Sequence, residues 1–180
     1  MVHVLLATGF EEIEAITTID ILRRCGIEVQ TLSVTGNRVI QGAHGISVMV
    51  DGLLRKNAIA GSQCIILPGG MPGVKNLQAS DCLRKCTIQH FSEGKLLAAI
   101  CAAPMVLDAW GILQNHNYTC YPGCQTGLKG GNFVEKSVIR DQNLITANGP
   151  GSAATFAFEI ASAILGDAIV KKVKNEMGYK

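Results

Sequence analysis

Leu96-Leu97-Ala98-Ala99-Ile100-Cys101-Ala102-Ala103-Pro104 reads as a buried strand that turns sharply into a helix, with one thiol at the junction. Five apolar residues without polar alternation predict a strand covered on both faces. The residues from Ala102 to Leu113 have helical length and periodicity. A side chain on such a turn is presented at the sheet edge, beside backbone amides that the first helical turn leaves unpaired. Those amides and the positive end of the helix dipole both favour thiolate over thiol. A fall of about two units from the ordinary cysteine value near 8.5 would leave Cys101 mostly ionised at neutral pH. Most free cysteines are packing residues; the position at a strand-to-helix junction is what points to reactivity here.

Outward from this segment, Val2 to Ala7, Ile27 to Val34 and Cys64 to Leu67 repeat the pattern of short Val, Ile and Leu-rich strands. Helical periodicity falls between several of them, over Glu11 to Cys25, Ala79 to Glu93 and Ser152 to Leu165. Strands alternating with helices predict an α/β chain with a doubly wound, mostly parallel sheet sandwiched by helices. Arg38 to Val50 reads as a small ribbon, and Val134 to Arg140 with Leu144 to Ala147 as a hairpin. No linker or repeat divides residues 1–180, so one domain is expected.

In such sheets ligands bind off the carboxyl ends of the strands. Two further segments reach that edge. Pro68-Gly69-Gly70-Met71-Pro72-Gly73 follows a strand, and its glycines either turn N–H groups toward a developing negative charge or form a plain tight turn. Glu11-Glu12-Ile13-Glu14 opens the first helix. Complementing the helix dipole accounts for Glu11 and Glu12. Glu14 instead shares a sector with Thr18 and Ile21, beyond the main apolar stripe of Ala15, Ile16, Ile19 and Leu22, which suggests a second buried face. A carboxyl buried beside a thiolate stays protonated and donates to the sulfur, which would make Glu14 the acid partner of Cys101.

Composition narrows the function classes. Apolar residues reach 48% and charged residues 17%, against a usual quarter or so, so extra surface is expected to be covered in a homo-oligomer. A net charge of +2 argues against nucleic acid, and Lys171, Lys172, Lys174 and Lys180 read as cations at a helix C-terminus. Seven cysteines without a disulfide-style framework point to a reducing compartment, the cytoplasm. The start, Met1 to Gly9, lacks the basic opening of a signal peptide, and no run approaches the roughly twenty apolar residues that span a bilayer. Cys82, Cys86 and His90 share a helix face but lack a fourth ligand, so no metal site is expected. Cys120 and Cys124 have no partner spacing either; their loop is expected near the active edge, where a secondary redox role stays open to them. Neither a phosphate-binding glycine loop nor a dinucleotide fingerprint is present.

Four motifs in order, Gly9-Phe10-Glu11-Glu12-Ile13-Glu14-Ala15, Leu67-Pro68-Gly69-Gly70, Ala98 to Pro104, and Asn148-Gly149-Pro150-Gly151-Ser152, make the chain resemble the DJ-1/ThiJ/PfpI superfamily, closest to its DJ-1 and YajL branch. The resemblance implies a flavodoxin-like sandwich, a homodimer with the first helix near the partner subunit, and a site without cofactor. It implies Cys101 as the oxidisable nucleophile, Glu14 as the protonated carboxyl bonded to it, and the Gly70 and Ala102 amides as the anion pocket. It also draws Gly69, Arg24, His44 and Tyr121 toward that pocket. The chain departs from the pattern at three places. Ala102 stands where the protease branch has a histidine, which disfavours proteolysis. Tyr121 replaces the histidine of animal members, and His44 an arginine of the ribbon.

The activity so implied is of the glyoxalase III type, a cysteine hydro-lyase or related deglycase that converts methylglyoxal, a small aldehyde, to lactate. The alternative is a redox sensor or stress-protective chaperone that works through oxidation of Cys101.

Overall fold

The computed structural model describes residues 1–179. Eleven strands and six α-helices follow one another as β1 (Val2–Leu6), α1 (Glu12–Arg24), β2 (Val29–Ser33), β3 (Val39–Gln41), β4 (Ser47–Met49), β5 (Gly52–Leu53), β6 (Cys64–Leu67), α2 (Gly73–Gln78), α3 (Asp81–Ser92), β7 (Leu96–Ile100), α4 (Pro104–Ala109), β8 (Asn117–Tyr118), β9 (Asn132–Phe133), β10 (Val138–Asp141), β11 (Leu144–Ala147), α5 (Ala153–Leu165) and α6 (Asp167–Glu176). Seven strands form one sheet in the order β10-β11-β7-β6-β1-β2-β5. Every pairing in it is parallel except β10 with β11.

The crossover from β1 to β2 steps one way along the sheet, and that from β6 to β7 the other. With right-handed crossovers, the intervening helices fall on opposite faces. Accordingly α1 packs on α5, and α2 packs on α3 and α4. The sheet is therefore a doubly wound sandwich, as its sequence predicts. Its central strands β1, β6, β7 and β11 are buried along nearly their whole length, which is why they read as continuous apolar runs.

Several boundaries move for identifiable reasons. The helix expected over Ala102 to Leu113 is cut to Pro104–Ala109, because Pro104 sits at its first turn and Gly111 leaves it at φ +76°. The stretch from Gly73 carries a short helix of its own, α2, before Ser80 caps α3 by accepting from the Leu83 N–H at 3.3 Å. Gly166, at φ +83°, separates α5 from α6. Lys174 lies in the last turn of α6, its ammonium 5.0 Å from the Phe158 ring centre, whereas Lys180 lies outside the described residues. No helix among the described residues is long and apolar enough to cross a membrane.

The order of winding reverses at β1, with β2 on one side and β6 on the other, and in such sheets the ligand-binding edge lies beyond the carboxyl ends of the strands at that point. The turns after β1, β6, β7 and β11 all reach that edge, bringing Glu14, Gly69, Cys101 and Gly149 toward one place.

Candidate functional site

Cys101 is the first residue beyond β7 and holds φ +65°, a region that residues with a side chain enter at a cost of about 1–3 kcal/mol. The surrounding backbone imposes it. The Cys101 N–H donates to the Ala147 carbonyl at 2.8 Å, and its own carbonyl accepts from the Tyr121 N–H at 2.8 Å. Strand β11 and the Tyr121 loop thus clamp the turn from both sides. The result leaves the residue 9% exposed, with Sγ accepting from the Gly70 and Ala102 amides.

Glu14 enters from the first turn of α1 and is 1% exposed. One carboxyl oxygen, Oε2, accepts from the Gly69 N–H at 2.7 Å. The other oxygen is buried without a partner apart from the Cys101 thiol, which the carboxyl faces at hydrogen-bonding range. Gly69 is what permits this closeness, since a β-carbon there would lie 2.6 Å from Cys101 Cβ and 2.7 Å from Glu14 Oε2. Gly70, at φ +91°, places its N–H toward sulfur, and a β-carbon on it would lie 2.4 Å from the Glu11 nitrogen. Gly69→Ala is therefore expected to lower stability by about 1–3 kcal/mol in urea unfolding, whereas Gly61→Ala, with open space around it, is expected to leave the midpoint unchanged.

Burial pushes the Glu14 carboxyl up to about 7, against the pull of its hydrogen bonds to Cys101 and the Gly69 amide. Burial and the facing carboxylate also push the Cys101 thiol up, while the Ala102 and Gly70 amides pull it down. The lowered thiol expected from sequence is thus corrected: desolvation opposes it, and α4 is too short to add much of a dipole. The two groups ionise as a pair, which holds one proton and one negative charge above the first ionisation. With the proton on Glu14, the carboxyl donates to sulfur instead of repelling it.

A sequence profile described as the DJ-1/PfpI family matches residues 1–163. The chain belongs to the DJ-1/PfpI family. Drosophila melanogaster protein dj-1beta is 36% identical over 172 residues, covering 94% of this chain and 92% of its own. A glutathione-independent glyoxalase of Caenorhabditis elegans, DJR-1.2, is 31% identical over 158 residues, covering 87% of this chain and 83% of its own. Among solved structures, a mutant DJ-1 superfamily protein from Salmonella typhimurium superposes with a TM-score of 0.96 at 36% identity, covering 99% of this chain and 98% of that one.

The remaining residues that the family resemblance draws toward the pocket have different fates. Tyr121 joins the site through its backbone, and its ring edge lies against Gly149, 3.3 Å from where a β-carbon would stand. His44 stands at the rim: its N–H donates to Glu12 Oε1 at 2.7 Å, and Nδ1 lies 3.0 Å from Glu12 Oε2 and 3.4 Å from Glu11 Oε2. Within the chain Arg24 is not brought to Cys101. It lies ten residues beyond Glu14, about 15 Å along the helix, with Nε donating to Asp20 at 2.7 Å. Cys82 and Cys86 meet on α3, but among the described residues the two thiols and His90 do not form a three-ligand cluster, and His90 Nε2 is bonded to the Leu96 carbonyl at 2.8 Å.

Sequence reasoning passed over Glu12, whose buried carboxylate anchors the ribbon by accepting from the His44 and Ile46 amides. The signal was Gly42, the residue at which a β-carbon would strike that carboxylate. Among the described residues Glu11, Glu12 and His44 form the only group of three or more metal-ligating side chains whose ligand atoms lie within 4.8 Å of one another.

Proposed function

We propose that this chain is a cofactor-independent cysteine enzyme acting on small 2-oxoaldehydes, converting methylglyoxal to lactate, with related deglycation of early aldehyde adducts at the same site. The observation that carries the reading is the buried Glu14 carboxyl facing the Cys101 thiol, beneath two converging amides. The name of the Caenorhabditis elegans relative, a glutathione-independent glyoxalase, supports the same class.

In this mechanism the Cys101 thiolate adds to the aldehyde carbon, and the developing oxyanion takes the amides of Gly70 and Ala102 and then the Glu14 proton. That leaves a hemithioacetal and a Glu14 carboxylate. The carboxylate removes the hydrogen from the former aldehyde carbon, and the proton returns to the neighbouring keto carbon through an enediol. The hydroxyacyl thioester so formed is hydrolysed by water, which releases the hydroxy acid and restores the thiol. One water is added overall, and the oxidation of one carbon balances the reduction of its neighbour. No imidazole serves Cys101: His3 bonds Gln30, His44 bonds Glu12, His90 bonds Leu96 and His116 pairs with Asp141. Proteolysis by a Cys–His pair is accordingly disfavoured.

The test is methylglyoxal with the purified chain, without glutathione, followed by NMR in deuterated water. Lactate accumulation is the expected result, and unconsumed methylglyoxal would overturn the proposal. Oxidation of Cys101 to sulfinate is the second reading, favoured by the Gly70 and Ala102 amides that face the sulfur and would hold an anionic oxidised form. Two oxygens added at Cys101 by mild peroxide, with negligible aldehyde turnover beforehand, would select it.

A homodimer is part of the proposal. Ile13 and Ile16 on α1 and Val39, Ile46 and Met49 of the ribbon are exposed, Met49 by 78%. Ile16 and Met49 line one cleft, which brings exposed apolar side chains of α1 and of the ribbon together. Sedimentation is expected to give a dimer, and Met49→Asp to shift it toward monomer; a monomeric parent chain would refute this. The seven thiols are all free among the described residues, which suits a reducing compartment such as the cytoplasm.

A further inference from the structure

Beyond that reading, we propose that Glu11, Glu12 and His44 form a binding site for a first-row divalent cation at the rim of the cysteine crevice. The three side chains come from two elements that only the fold brings together, the start of α1 and the β3–β4 turn. Their separations suit a shared cation. His44 Nδ1 lies 3.0 Å from Glu12 Oε2 and 3.4 Å from Glu11 Oε2. Ligands about 2.1 Å from one metal stand about 3.0 Å apart in octahedral geometry and about 3.4 Å apart in tetrahedral geometry.

Within the cluster a single imidazole, His44, is shared between two buried carboxylates. Glu11 is only 8% exposed, yet its carboxylate receives no hydrogen bond among the described residues, and it is aimed at His44 Nδ1. Glu12 is 5% exposed and already oriented, because Oε1 accepts the His44 and Ile46 amides at 2.7 and 3.3 Å. That leaves Oε2 for a ligand, an arrangement in which backbone donors fix a ligating carboxylate. One imidazole proton at Nδ1 serves only one of the two carboxylates well; a divalent cation in its place serves both. Two carboxylates and one imidazole are a donor set for zinc, cobalt, nickel, manganese or ferrous iron rather than calcium. Within the single chain the His44 side chain is exposed, so the cluster is not sealed by the chain's own residues.

The test titrates the full-length chain with Co2+ alone, read by visible absorption and by equilibrium dialysis. The expected result is one Co2+ per chain, with ligand-field bands of oxygen and nitrogen coordination and no intense thiolate charge transfer. His44→Ala and Glu11→Gln are each expected to weaken binding at least about tenfold, the lower end of what even outer-shell changes cost. Both replacements remove exposed or unbonded groups, and circular dichroism checks that the fold survives. Absent uptake, a thiolate charge-transfer band, or unchanged affinity in either variant would overturn the proposal. Because the readout is binding, it stands or falls separately from methylglyoxal turnover.

Discussion

Cys101→Ser is expected to lower methylglyoxal consumption at least about a thousandfold while leaving the unfolding midpoint close to that of the parent chain. The oxygen replaces sulfur in a turn whose conformation is set by backbone bonds to Ala147 and Tyr121, and a hydroxyl can take the same amide and carboxyl partners as the thiol. The Gly70 and Ala102 amides and the Glu14 carboxyl remain in place. What disappears is the nucleophile: a serine hydroxyl ionises far above the range in which a thiol does, and no imidazole is present to take its proton. A residual rate from the amides and carboxyl alone would remain measurable above background. Consumption at the parent rate in this variant would rule out covalent chemistry at Cys101. Peroxide would separate the sulfinate reading, since the variant is expected to lose the two-oxygen mass increase at this position as well.

The junction at Cys101 was legible because two local signals coincide there, an unbroken apolar run and a proline that starts a helix. Glu14 was legible for a similar reason: it falls in a second apolar sector of α1, and such a sector predicts burial without tertiary information. The sheet followed from run length alone in β6 and β7, whose bounds match the sequence reading. Other features left no local trace. Strand β5 is two residues long, and it exists only because Leu32 and Ser33 of β2 offer it a partner. The role of Glu12 depends on amides thirty-two and thirty-four residues away, so the first-turn acid read as a dipole complement is in fact the anchor of the ribbon. The ionisation of Cys101 was misjudged because sequence shows the donors that favour a thiolate but not the depth of burial that opposes it. Arg24 was drawn toward the pocket by resemblance alone, and within one chain helix geometry puts it at the opposite end of α1 from Glu14, so its place depends on a partner subunit.

Glu14→Gln separates the two roles assigned to the carboxyl. The amide is nearly isosteric and stays neutral, its carbonyl can accept from the Gly69 N–H, and its NH2 can donate to sulfur. It has no proton to give to an oxyanion and cannot remove one from carbon. Turnover is therefore expected to fall by about 10²–10⁴, the usual worth of a general acid–base group, while alkylation of Cys101 by iodoacetamide continues. Loss of both together would mean that the carboxyl only shapes the pocket. Stability supplies an independent readout with a definite sign. Glu14 goes from 4.5 to about 7 on folding, so below pH 4.5 it is protonated in both states and gives no slope. Between those values the unfolded chain releases the proton and the folded chain keeps it, so stability falls as pH rises and levels off above about 7. A gap of this size corresponds to at most about 3 kcal/mol. Glutamine does not ionise and escapes the penalty. The variant is therefore expected to gain on the parent chain in urea midpoint steadily from pH 4.5 to 7, with matched midpoints at the acid end. A parent chain that instead gains on the variant over that window would show that Glu14 folds ionised, and the neutral acid beside Cys101 would have to be abandoned.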